Sequence, residues 1–166
     1  MSRFNHCLTF VLKWEGGKTD DPIDRGGRTA YGITQREYKK GDVWNIAMPE
    51  VEAIYWQDYW LAAKCQLMPD DLDLCVFDSA VQHGPVRAIK FLQQALGIGA
   101  DGVCGPVTID ALQEEVAAGR VQEIVDQYID NRHEFYDKII ANDPTQARFE
   151  AGWAHRMASL SQDVMA

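Results

Sequence analysis

The chain has 166 residues, of which 46% are hydrophobic and 25% charged, a composition typical of a soluble globular domain with a sizeable core. Its formal charge of −9 disfavours a nucleic-acid partner, because phosphate binding draws its affinity from Lys and Arg. No apolar run approaches the ~18–20 residues of a membrane span, and the N-terminus lacks the pattern of a signal peptide. We therefore expect a monomer that is made and kept in the cytoplasm, without stable membrane insertion.

The first predicted element is an amphipathic helix that ends at Glu15, directly before Gly16 and Gly17. Its apolar residues recur at helical spacing and are Phe4, Cys7, Leu8, Val11 and Leu12. Glu15 falls on the same stripe, four residues after Val11. Partial burial and the negative end of the helix dipole would both raise the pKa of this carboxyl. That is the environment in which a carboxylic acid can donate a proton near neutral pH.

Residues 16–33 break the helical pattern with turn signals and short Thr, Ala, Tyr and Ile segments. They predict turns and a small β-hairpin after the first helix. Asp24 lies nine residues beyond Glu15, and Thr29 follows five residues later. A hairpin can therefore place a carboxylate and a hydroxyl across a cleft from Glu15. Glycosidic cleavage needs one protonated carboxyl for the leaving oxygen and one carboxylate for water or oxocarbenium charge, and Thr29 could hold the water.

Helical periodicity dominates the rest of the chain. Pro49 opens a helix whose predicted buried stripe is Val51, Ile54, Tyr55, Asp58 and Ala62. Its other faces carry Trp56, Tyr59 and Trp60, for which core packing is favoured over a sugar site. An almost wholly apolar, central helix runs from Pro69 to His83 and Gly84, and Pro85 starts the next one. A glycine-rich loop at 97–106 and three further helices complete a mainly α fold (α+β).

The four cysteines and four histidines form no pattern typical of a metal site. No C-x-x-C spacing occurs, and the histidines are scattered. We predict no metal and no cofactor, and we expect buried or half-buried thiols at Cys7, Cys65, Cys75 and Cys104.

Several motifs closely resemble those of glycoside hydrolase family 108, which comprises bacteriophage endolysins and related bacterial muramidases. In the first half they are WEGG at 14–17, DP at 21–22, DRGGRTAYGIT at 24–34 and FDSAVQHGP at 77–85. In the second half they are QQALG at 93–97, DG at 101–102, GP at 105–106, Thr108 and Trp153. The resemblance covers nearly the whole chain. It implies a lysozyme-like catalytic lobe at 1–84 and a helical lobe at 85–166 that resembles a predicted peptidoglycan-binding region.

This resemblance implies an N-acetylmuramidase that cuts the β-1,4 bond between N-acetylmuramic acid and N-acetylglucosamine in peptidoglycan. Glu15 would be the catalytic acid, with Asp24 and Thr29 as its catalytic partners. Phage-type lysozymes carry the hydroxyl one residue further along than Thr29. As an endolysin, the enzyme would leave the host cytoplasm for the periplasm through a separately made membrane pore.

Three further residues are candidates for substrate binding: Tyr31 in the hairpin, and Gln82 and His83 at the end of the central helix. A polar pair that ends a buried helix can open onto a groove. Family members often have Asn in place of Gln82, and a lone His is often a packing residue.

Other functions compete with the hydrolase. A lytic transglycosylase would cut the same bond with one carboxylate and leave an anhydro-sugar end. A non-catalytic peptidoglycan-binding module would use the glycine loop and the helix after it. A helix-turn-helix regulator is faintly suggested by residues 31–40, but the acidic balance argues against it.

Overall fold

The computed structural model describes residues 2–20 and 28–165, which form seven α-helices and one three-stranded sheet. The helices are Arg3–Glu15 (α1), Met48–Tyr55 (α2), Leu72–His83 (α3), Pro85–Ala95 (α4), Pro106–Ala117 (α5), Val121–Asn142 (α6) and Glu150–Val164 (α7). The strands are Lys18–Thr19 (β1), Thr29–Ala30 (β2) and Ile33–Thr34 (β3). The mainly α fold with a small β element is as predicted. Within the described ranges, no helix is both long and apolar enough to cross a bilayer.

The chain divides into two compact units, Met1–Trp60 and Leu61–Ala166. The first contains α1, the sheet and α2, whereas the second contains α3 to α7. The predicted boundary after residue 84 stays a prediction. Three cysteines are buried, Cys104 is half-buried, and all four are free thiols, as expected from the sequence.

The predicted first helix is confirmed, and α1 ends at Glu15. Ser2 caps its N-terminus by accepting a hydrogen bond from the Asn5 amide at 3.3 Å. Its apolar stripe is buried and comprises Phe4, Cys7, Leu8, Phe10 and Val11. Gly16 ends the helix with a φ of 76°, a conformation that glycine adopts without steric cost. The chain thereby turns away from the helix directly after Glu15.

The three strands pair antiparallel in the order β1, β2, β3. The predicted hairpin is the β2–β3 pair, in which Ala30 faces Ile33. Its two-residue turn consists of Tyr31 and Gly32, with φ values of 53° and 75°. Two central residues with positive φ are what a tight hairpin of type I′ requires. The strand β1 was not predicted, since two exposed residues carry no alternating pattern.

The buried stripe predicted for α2 is wrong in its last two members, because Asp58 and Ala62 are exposed. The helix continues beyond Tyr55 as a π-helical segment, Trp56–Leu61. A π-helical turn spans about one residue more than an α-helical turn, so the buried position passes to Trp60, five residues after Tyr55. Trp60 is 3% exposed and packs edge-on against Phe4 at 5.5 Å between ring centroids, which confirms core packing for this residue.

In the second unit, α3 is the central buried helix that the sequence predicts, and Gly84 and Pro85 separate it from α4 as expected. One of the buried side chains of α3 is charged, which its apolar sequence pattern does not predict. Asp78 is fully buried and forms ion pairs with Arg132 of α6 at 2.9 Å and Arg156 of α7 at 2.8 Å. Burial opposes its ionisation, but the two guanidinium charges outweigh burial and lower the pKa of Asp78.

The glycine-rich loop is held by the buried side chain of Gln93. The amide nitrogen of Gln93 donates to Asp101 Oδ1 at 2.7 Å, and its Oε1 accepts from the Gly102 amide at 2.8 Å. Gly102 has a φ of 83°, and a Cβ there would approach Val86 Cγ1 to 2.6 Å. The loop therefore has one defined conformation, and glycine is required where it passes α4.

Candidate functional site

Glu15 lies at the C-terminal end of α1, half-buried, against the β2–β3 turn. A Cβ added to Gly32 would lie 3.1 Å from both Cβ and Oε2 of Glu15. It would also lie 2.8 Å from the hydroxyl of Tyr55. The turn therefore approaches the carboxylate so closely that a side chain at position 32 would displace either Glu15 or Tyr55. This is the close contact that defines the site.

Tyr55 holds the turn in place from α2. Its side chain is buried, and its hydroxyl donates to the carbonyl oxygen of Tyr31 at 2.8 Å. Tyr31 has a φ of 53°, which a residue other than glycine seldom adopts. The hydrogen bond offsets that strain and fixes the backbone that lies over Glu15. Helix, hairpin and α2 thus converge on one carboxylate within the first unit.

Two of the three predicted hairpin residues, Tyr31 and Thr29, lie in the described part of the hairpin. Tyr31 belongs to the same two-residue turn as Gly32, whose backbone closely approaches the Glu15 carboxylate. Thr29 is half-buried in β2, where it pairs with Thr19 and Thr34. Asp24 lies outside the described residues, and its role stays a prediction.

A cleft of about 330 Å³ opens in the first unit beside this turn. Its lining residues are Ile33, Glu37, Tyr38, Lys39, Lys40, Ile54, Asp58 and Tyr59. Tyr59 connects the cleft to Glu15 electrostatically: burial, followed by the charges of Glu37, Asp58 and Glu15, raises the pKa of Tyr59. Its hydroxyl therefore stays protonated at neutral pH and can donate a hydrogen bond. The volume is within the ~300–1,000 Å³ of small-molecule sites.

Glu37 and Asp58 are cleft carboxylates that the sequence analysis missed. Glu37 Oε2 accepts hydrogen bonds from the Thr34 hydroxyl at 2.9 Å and the Thr34 amide at 3.3 Å. The Glu37 amide donates in return to the Thr34 hydroxyl at 3.3 Å. These reciprocal hydrogen bonds follow the capping-box pattern, here around the turn at 35–37, and the T-x-x-E sequence at 34–37 is the signal that predicts them. Asp58 reaches the cleft only because the π-helical segment turns it away from the core.

Tyr38 and Lys40 are both tied to Glu50 of α2. The Tyr38 hydroxyl donates to Glu50 Oε2 at 3.1 Å, and Lys40 Nζ lies 3.7 Å from Glu50 Oε1. The side chain of Lys40 is 76% exposed. The segment that forms this wall of the cleft is therefore anchored to α2, while its ammonium groups reach solvent.

Gln82 and His83 lie in the second unit, where α6 supplies their partners. Gln82 Oε1 accepts from Arg132 Nη2 and from the Tyr136 hydroxyl, both at 2.7 Å. His83 Nε2 lies 3.0 Å from the same hydroxyl, and its ring packs edge-on against Phe135 at 5.2 Å. Burial, then the charge of Arg132, lowers the pKa of His83 to about 4. These contacts are those of packing residues, and substrate binding by the pair stays a prediction.

Comparison with known proteins agrees with this arrangement. Residues 8–84 match the family model described as Glycosyl hydrolase 108, and residues 87–158 match the Predicted Peptidoglycan domain. The solved structure of SagA from Brucella abortus matches with a TM-score of 0.81 and 27% sequence identity, over 98% of this chain and 93% of SagA. No curated protein matches the chain.

The mainly helical fold with one small hairpin is lysozyme-like. Residues 8–84 carry the glycosyl hydrolase 108 domain, and residues 87–158 carry the predicted peptidoglycan domain. The chain is a glycoside hydrolase that acts on peptidoglycan.

Proposed function

We propose that the enzyme is an N-acetylmuramidase that hydrolyses the β-1,4 bond between N-acetylmuramic acid and N-acetylglucosamine, with Glu15 as the general acid. The observation that carries the proposal is the placement of Glu15. It is half-buried at the end of α1, and the Gly32 turn approaches its carboxylate closely beside the cleft. A group that must meet one glycosidic oxygen needs this kind of rigid placement.

In the proposed reaction, the carboxyl of Glu15 gives its proton to the glycosidic oxygen as the bond from that oxygen to C1 breaks. The oxygen leaves as the 4-hydroxyl of N-acetylglucosamine. A water molecule adds to C1 of N-acetylmuramic acid, and its proton passes to a base. Asp24 is the proposed base or charge stabiliser, and Thr29 is proposed to hold the water. The distance between the two carboxylates determines whether configuration is retained or inverted.

The variant Glu15→Gln tests the proposal, because it keeps the shape of the side chain and removes its proton. We expect a loss of about 10²- to 10⁴-fold in lysis of outer-membrane-permeabilised Gram-negative cells, measured as fall in turbidity. The circular dichroism spectrum should be unchanged. The matched control is Glu52→Gln, which alters an exposed glutamate of α2 and should leave lysis unchanged. Retained lysis by Glu15→Gln would overturn the assignment.

Mass spectrometry of the digested peptidoglycan separates this proposal from a lytic transglycosylase. Hydrolysis leaves a reducing N-acetylmuramic acid end, which carries the added water. A transglycosylase product is lighter by one water because it ends in an anhydro-sugar. Soluble fragments with reducing ends support the muramidase. Binding to peptidoglycan without release of any fragment would instead identify a binding module.

We also propose that the enzyme works as an endolysin. The support is the resemblance of the Glu15 motif to that of bacteriophage endolysins. In this role the protein accumulates in the host cytoplasm and reaches the periplasm through a separately made pore. Expression in a Gram-negative host should cause lysis only when a membrane-permeabilising protein is co-expressed. Lysis at equal rate without that protein would contradict the proposed route.

A further inference from the structure

Two adjacent lysines line the cleft of a strongly acidic protein. The chain carries a net charge of −9, yet Lys39 and Lys40 stand together on one wall of the cleft. Both are exposed, and Lys40 lies 3.7 Å from Glu50 Oε1. Among the residues that the structure describes, Lys39 has no ion-pair partner. The cleft therefore offers a ligand the ammonium group of Lys39 and, beside it, that of Lys40 in a long, exposed ion pair with Glu50.

The other polar residues of the cleft favour uncharged hydrogen-bond donors on a ligand. Glu37 and Asp58 are acceptors, so they require hydroxyl or amide N–H donors from a ligand. Tyr59, half-buried between these charges and that of Glu15, offers an aromatic face and a protonated hydroxyl. A polyanion would be repelled by the two carboxylates. A ligand that fits has uncharged donors in one part and carboxylates in another.

A peptide-bearing amino sugar has this combination. Its hydroxyl and acetamido groups supply the donors, and the acidic residues of the stem peptide supply the carboxylates. A bare glycan strand offers the donors but only one carboxylate per muramyl unit, that of the lactyl group, whereas a stem peptide adds several. We propose that this cleft is a subsite for the peptide-bearing muramyl unit, in which Lys39 and Lys40 pair with carboxylates of the stem peptide. This inference rests on the proposed function and assigns its substrate: peptidoglycan with its peptides attached.

The size of the effect follows from the exposure of the lysines. Exposed ion pairs are individually weak, so two of them should give about a three- to tenfold preference in kcat/KM for peptide-bearing glycan. The preference should shrink as salt is added, because exposed charges are screened over about 10 Å at 0.1 M. Hydrolysis of bare strands should depend less on the lysines, because each muramyl unit then carries a single carboxylate.

The test compares two substrates made from one batch of sacculi. One is intact, and the other has been stripped of peptides by an N-acetylmuramyl-L-alanine amidase. Release of reducing ends is measured below saturation for the wild type and for the double variant Lys39→Ala/Lys40→Ala. The matched control is Lys138→Ala, which removes an exposed lysine that lies 3.3 Å from Glu134 in α6. We expect the double variant to lose the preference, because its rate should fall more on intact sacculi than on stripped strands.

The outcomes separate this inference from the proposed function. Equal wild-type rates on the two substrates, or a preference that survives in the double variant, would overturn the subsite. Cleavage of neither substrate by the wild type would overturn the muramidase itself. A binding measurement then decides the subsite independently of catalysis. Glu15→Gln should bind soluble peptide-bearing disaccharide more tightly than the peptide-free disaccharide, and adding the two lysine substitutions should abolish the difference; equal binding overturns it.

Discussion

Glu15 and Asp78 are both carboxylates at helices with apolar faces, yet the two units place them in opposite environments. Asp78 is fully buried in the second unit, and Arg132 and Arg156 neutralise it. Glu15 is half-buried in the first unit, where the Gly32 turn packs against its carboxylate, and the cleft begins at Ile33, directly after that turn. A buried, paired charge supports the fold, because removal of either partner leaves the other charge uncompensated. A half-buried carboxyl beside a cleft can meet a substrate.

The largest expected effect on stability comes from Asp78→Asn. This change leaves two buried guanidinium charges without the carboxylate between them, so we expect unfolding to become easier by about 3–5 kcal/mol. Urea denaturation followed by circular dichroism measures this change in the free energy of unfolding. Asp130→Asn, at an exposed position of α6, is the control and should change stability by less than about 0.5 kcal/mol. A small effect of Asp78→Asn would remove the contrast between the two carboxylates.

The second unit should also lose stability in acid through His83. Its pKa falls from the ordinary 6.5 to about 4 in the folded protein, so the native state binds fewer protons than the unfolded state. The stabilisation is complete above pH 6.5 and is lost as the pH falls towards 4, by at most about 3 kcal/mol.

Urea denaturation at several pH values tests this titration. His83→Phe keeps an aromatic ring at the site and should flatten the dependence between pH 6.5 and 4. His133→Gln, at an exposed position, should retain the wild-type slope. An unchanged slope in His83→Phe would show that other groups cause the acid sensitivity.

In the first unit, Gly32→Ala should impair activity. The new Cβ would approach the Tyr55 hydroxyl to 2.8 Å and Glu15 to 3.1 Å, at a φ of 75°. Because a misplaced catalytic group costs about 100-fold in rate, we expect a loss of that order in peptidoglycan hydrolysis. Gly41→Ala is the control, since a Cβ there has no atom within 4 Å. Equal activity of the two variants would contradict the close approach of the turn to Glu15.

The smallest effect is expected for Tyr55→Phe, which removes the hydrogen bond to the Tyr31 carbonyl and keeps the ring. One such bond contributes about 1 kcal/mol, so the free energy of unfolding should fall by about that amount. The loss of activity should be smaller than for Gly32→Ala, because the turn can still pack on Glu15. A larger loss than in Gly32→Ala would indicate that the hydroxyl itself takes part in the reaction.

Most of the helices could be predicted from the sequence because their limits are local. Gly84 and Pro85 separate α3 from α4 through backbone preferences that need no tertiary contact. The periodic stripe of α1 likewise predicted its buried face and placed Glu15 at its end. The buried ion pairs of Asp78 could not be predicted, because its partners lie on α6 and α7, more than 50 residues further along the chain.

In the candidate site, too, local features were predictable from the sequence and long-range contacts were not. The motifs around Glu15 and at Tyr31 and Gly32 identified this region from the sequence, because they resemble those of a known hydrolase family. The contact between Gly32 and Glu15 and the hydrogen bond from Tyr55 to Tyr31 are seen only in the tertiary structure. Each joins segments that are separate in the chain. Asp58 reached the cleft through a π-helical segment, whose shift in phase the periodic pattern does not predict. Local preferences thus determined where helices and turns form, whereas packing between distant segments decided which side chains surround the carboxylate.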